Sequence, residues 1–198
     1  YMKADLEKFC DEVKREEYKC SDKAFMAWVP IGAVLLILST ILFTLGVSIA
    51  GLVLSALATF FVLAEFIFYK PVLDPFFPKV TSGNVYGVRK ASGETKKRII
   101  FIGHADSQYE WTLNYLLGGT GMKLFLIPAA VGLFVVCFAS IIKYFTYLNL
   151  DAPSKGVDTF FFIVGIVLCV FIIPYFGFLF FQSYTKSVPG ANDNLTGC

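Results

Sequence analysis

Two short stretches of this 198-residue chain carry side chains whose types and spacing could do chemistry. The first is Gly103-His104-Ala105-Asp106-Ser107, which closes the apolar run Arg98-Ile99-Ile100-Phe101-Ile102. In an extended chain positions i and i+2 point the same way, so His104 and Asp106 share a face. An imidazole with a carboxylate beside it suits a metal ligand held in orientation by a neighbouring acid. The second stretch is Ser187-Val188-Pro189-Gly190-Ala191-Asn192-Asp193-Asn194-Leu195-Thr196-Gly197, a tight loop composition in which Asp193 can reach a metal. Both also fit plainer roles: a hydrogen-bonded strand end for His104, the only histidine in the chain, and a turn whose Asp, Asn and Thr cap a helix.

The elements that must position these residues read as pieces of one α/β domain. Met2, Leu6, Phe9, Cys10 and Val13 form an apolar stripe at helical spacing across residues 2–13. Arg15 to Cys20 reads as a strand, Asn84 to Val88 as another, and Ser92-Gly93 as a turn. The continuous apolar run 98–103 predicts a strand buried on both faces. A helix followed by strands, one of them buried, suggests an α/β domain whose other elements lie past residue 198. Both ends of the sequence look cut, and the chain is expected to be a fragment of a longer protein.

Four uncharged segments interrupt these pieces. From Ala24 to Ala64 there are 41 residues without a charge. As a single helix they would span roughly 60 Å, twice the hydrocarbon core of a bilayer. Two crossings, near 27–47 and 50–69, with a turn around Gly46, Ser48 and Gly51, fit better. Leu124 to Ile142 and Thr159 to Thr185 form a second uncharged pair, joined by the polar stretch Tyr147 to Asp158. Pro174 is expected to kink the last span, and Gly118-Gly119-Thr120-Gly121 to be a flexible lead into the third. Glu65 and Lys143 lie near span ends, from which they are expected to reach the interface. The resulting division is residues 1–26, a hairpin at 27–70, soluble strands at 71–122, a second hairpin at 123–182 and a loop at 183–198. Four spans put residues 1–26, 70–123 and 183–198 on one side of the membrane, and these hold 15 of the 17 Lys and Arg residues, which predicts that they face the cytoplasm.

Composition narrows the function classes. Apolar residues make up 57% and charged residues 16%, against roughly 25% charged in ordinary soluble domains. With a net charge of +2 and no dense basic face, nucleic acid is not an expected partner; Lys96-Lys97-Arg98 reads as a solvated loop. The spans carry almost no charge, which disfavours a transporter or channel. The five cysteines show no Cys-x-x-Cys pair and no disulfide framework.

Taken together, His104-Ala105-Asp106-Ser107 and Pro189-Gly190-Ala191-Asn192-Asp193-Asn194-Leu195-Thr196-Gly197 resemble the di-zinc aminopeptidase family that includes aminopeptidase Y and bacterial leucyl aminopeptidase. That family has a strand ending in His-x-Asp-Ser, followed by Pro-Gly-Ala-x-Asp-Asn-x-Ser/Thr-Gly. Ser82-Gly83-Asn84-Val85 is similar to its preceding strand. The resemblance implies a zinc-peptidase-like α/β fold and hydrolysis of peptides with a free amino terminus by water activated between two zinc ions. It implies that His104 is a zinc ligand, Asp106 the catalytic-site acid that positions it, and Asp193 the carboxylate bridging both metals. The chain departs from the family in having 89 positions between His104 and Asp193. It also carries two of the five metal ligands, the others and the general base being expected beyond residue 198. If those were lost, the same fold would serve as an inactive scaffold in a membrane complex. Oligomeric state is not legible in the sequence.

Overall fold

The computed structural model describes residues 2–103, 107–150 and 153–188. It is a mixed helix-and-sheet molecule built twice on one plan: an antiparallel two-stranded ribbon whose strands are joined by a helical hairpin. In the first unit a short helix α1 (Met2–Leu6) precedes β1 (Glu12–Cys20), which pairs in antiparallel register with β2 (Val80–Val88) from Glu12↔Val88 to Cys20↔Val80. Between them run α2 (Trp28–Thr44) and α3 (Ser48–Phe61), the latter continued by a π-helical turn, Val62–Ile67. In the second unit β3 (Tyr109–Trp111) pairs with β4 (Gln182–Ser187) around α4 (Thr112–Leu148), α5 (Lys155–Leu168) and α6 (Ile172–Phe178).

Three helical stretches are long and apolar enough to cross a membrane: Ser48–Ile67 with 20 residues, Thr112–Leu148 with 37 and Lys155–Phe178 with 24. Trp28–Thr44, also apolar, has 17. The first uncharged run folds back on itself through a glycine. Gly46 takes a φ of +88°, a left-handed conformation that costs a residue without Cβ nothing. Around it the Gly46 N–H donates to Phe43 O and the Val47 N–H to Leu42 O, the paired bonds of a Schellman helix stop. The second turn begins anew at Ser154, whose Oγ accepts from the Val157 N–H at 3.4 Å, a serine N-cap.

The helices meet through one narrow face each. Along α4 the buried positions include Met122, Ala129, Val136 and Lys143, and along α5 and α6 Phe161, Leu168 and Tyr175. On α2 they include Val29, Leu36 and Phe43. A step of seven residues keeps a side chain on one stripe of a helix. The opposite faces are apolar too: Leu124, Ile127, Phe134 and Phe138 of α4 all point outward. Small residues set the closest approaches. Ser39 Oγ donates to Gly51 O at 2.7 Å, and a Cβ placed on Gly165 would come within 2.9 Å of Thr44 Cα. Close backbone approach through Gly, Ala and Ser is how apolar helices pack when both their faces are greasy.

Several expectations need correction. The helix expected over 2–13 stops at Leu6, because the Asp11 N–H bonds Val88 O and Glu12 enters the β1–β2 ladder. A ladder of paired backbone groups outweighs one amphipathic stripe, and Phe9 is left exposed. The buried strand expected at 98–103 is not formed. No partner strand reaches it among the described residues, and Ile99, Ile100, Phe101 and Ile102 are 75%, 74%, 92% and 89% exposed. Residues 119–121 are helical rather than a flexible linker, with one left-handed break at Gly118, φ +65°. The final apolar run is interrupted by a 3₁₀ turn, Cys169–Phe171, where Pro174 removes the N–H that would bond Val170 O and crowds that carbonyl. The last residues of that run, from Gln182, belong to β4.

Both ionisable side chains expected to stretch to the interface are instead buried within the protein. Lys143 is 2% exposed and Glu65 3%. Glu65 sits in the π-helical turn, where its Oε1 accepts the Leu73 N–H at 2.7 Å and holds the chain leaving α3 through the left-handed Tyr69, φ +50°. Lys143 donates from Nζ to Phe43 O, with Nζ 4.4 Å from the Phe43 ring centroid and 5.7 Å from those of Tyr147 and Phe161. The three rings and the carbonyl end of α2 draw the ammonium inward.

Candidate functional site

His104, Asp106 and Asp193 all lie outside the described residues. The chain that follows the first motif and the chain that leads into the second are described, however, and those two segments come together. The Val188 N–H donates to Gln108 O at 2.9 Å, and Tyr109 pairs with Ser187. Gln108 is two residues past Asp106, and Val188 is five residues before Asp193. The stretch from Gln108 to Val188 is therefore closed into a loop whose ends are hydrogen-bonded neighbours.

This clasp has a local sequence logic. Tyr109, Trp111, Phe181 and Tyr184 bring aromatic surface to both strands. The Trp111 and Phe181 rings lie 5.0 Å apart and those of Tyr109 and Tyr184 6.2 Å apart, contacts typical of cross-strand aromatic pairs. Below it the Thr112 N–H donates to Phe181 O at 2.9 Å. The pairing is irregular: Tyr109 faces Ser187 but Trp111 faces Gln182, so β4 spends extra residues on a bulge. Ser183 Oγ closes that bulge, accepting from the Thr185 N–H at 3.3 Å and the Lys186 N–H at 3.0 Å. Bulges re-aim the strand that leaves them and are frequent beside functional sites.

A further tie links the clasp to the first ribbon. Tyr109 Oη donates to Asp22 Oδ2 at 2.7 Å, across from the turn between β1 and α2. That hydrogen bond, reinforced by burial and by the Asp22 charge, pushes the Tyr109 phenol up from its ordinary value of 10.0. The tyrosine thus stays neutral and donating across the physiological range. Sequence reasoning missed Tyr109, Trp111 and Asp22 as positioning residues. The density of aromatic residues on both sides of the two motifs was the available signal.

Imidazole nitrogen and carboxylate oxygen are ordinary zinc donors, so His104 and Asp193 suit that ion by chemistry. Among the described residues, no three His, Cys, Asp or Glu side chains come close enough to hold a metal; neither expected ligand is among them.

The architecture defines a class no finer than a mixed helix-and-sheet chain with three helices able to cross a bilayer. No family model, no curated protein and no solved structure matches it.

Proposed function

We propose that this chain is the membrane-anchoring and partial metal-binding portion of a zinc-dependent exopeptidase, with aminopeptidase-like action on peptides. The observation that carries the reading is the clasp: Val188 bonded to Gln108, and Ser187 paired with Tyr109. Two motifs that resemble one di-zinc family are thereby flanked by segments that meet in space. Their separation in sequence is one feature that sets the chain apart from that family; the absence of a strand at 98–103, before the His motif, is another. An antiparallel helical hairpin begins and ends at one place, so it can be inserted between the motifs without parting them.

In this reading four helices span the bilayer. Trp28–Thr44, with 17 residues, stands at the short end of the roughly 17–25 that suffice. It is flanked by Trp28, an aromatic of the kind that settles at the interface. The ribbons face the cytoplasm, following the distribution of Lys and Arg. His104 and Asp193 hold metal, and Asp106 orients His104. Bound zinc supplies Lewis-acid polarisation and an activated water. The chain's own part is to bring imidazole and carboxylate together from either side of the second hairpin. A complete two-zinc site needs further ligands and a general base besides these three residues.

The test is elemental analysis of the full-length protein purified in detergent, with Asp193→Ala alongside. About two zinc ions per chain, falling sharply in the variant while the protein stays folded, is the expected result. No zinc in either protein, with folding shown by circular dichroism, would remove the peptidase reading and leave the inactive scaffold.

A further inference from the structure

We draw no further inference here: the strongest candidate, the exposed apolar run Ile99–Ile102 in the segment between β2 and β3, carries nothing because nothing in the structure shows what covers it.

Discussion

At the scale of single residues, Lys143 shows how much a charge can depend on what lies far away in sequence. Its position five residues before the end of α4 suits a lysine that stretches to the interface. Instead it turns inward to a carbonyl 100 positions earlier in the chain. The carbonyls that end a helix carry partial negative charge, and Phe43, Tyr147 and Phe161 present ring faces around the ammonium. This predicts a graded series. Lys143→Met keeps most of the volume and loses the charged hydrogen bond, about 1.5–3 kcal/mol. Lys143→Ala adds an unfilled cavity and costs about 2–5 kcal/mol in total. Lys143→Glu sets an anion against the carbonyl end of α2 and is the worst of the three. Thermal unfolding in detergent checks the order; an alanine variant as stable as wild type would show that the buried ammonium contributes nothing.

At the scale of elements, helix positions were legible and helix faces were not. Long uncharged runs separated by Gly46 and by the polar stretch before Ser154 announce where helices begin and stop. Uniform greasiness hides which side packs, because Leu and Phe suit lipid and protein equally. Small residues carry the missing signal: Gly51 lies against α2, and Gly165 against Thr44. Gly165→Leu would drive a branched side chain into the α2 backbone and is expected to cost at least about 1–3 kcal/mol. Gly93→Ala, with open space around it, should change stability by less than about 0.5 kcal/mol. Comparable losses in both variants would mean that α5 does not approach α2 through Gly165. The strand expected at 98–103 failed for a different reason. A strand is stabilised by neighbours, and no neighbour meets this one among the described residues, so its apolar pattern has nothing to pack against.

At the scale of the whole molecule, each ribbon is a staple across the foot of a helical hairpin, and Tyr109 to Asp22 joins the two ribbons. Directly opposed antiparallel residues have Cα atoms about 4.5–5.5 Å apart, within reach of a disulfide. A Tyr109→Cys, Ser187→Cys double variant, with the native cysteines replaced, should therefore cross-link under mild oxidation and shift on a non-reducing gel. A control pairing Tyr115→Cys with Ser187→Cys should not. Absence of the first cross-link in folded protein would dismantle the clasp and with it the main support for a shared metal centre. The long apolar helices and the turns at Gly46 and before Ser154 were legible in residue order, because hydrophobic length and glycine or serine punctuation act locally; the end of α1 and the helical start of α4 were not. The sequence by itself also carried both motifs, because a motif is a matter of residue identity. Tertiary structure alone decided that Lys143 and Glu65 turn inward, that the 2–13 stripe yields to a ladder, and that segments 80 positions apart, Gln108 and Val188, share a hydrogen bond. Those outcomes rest on partners distant in the chain, whose approach is set by how the helices pack.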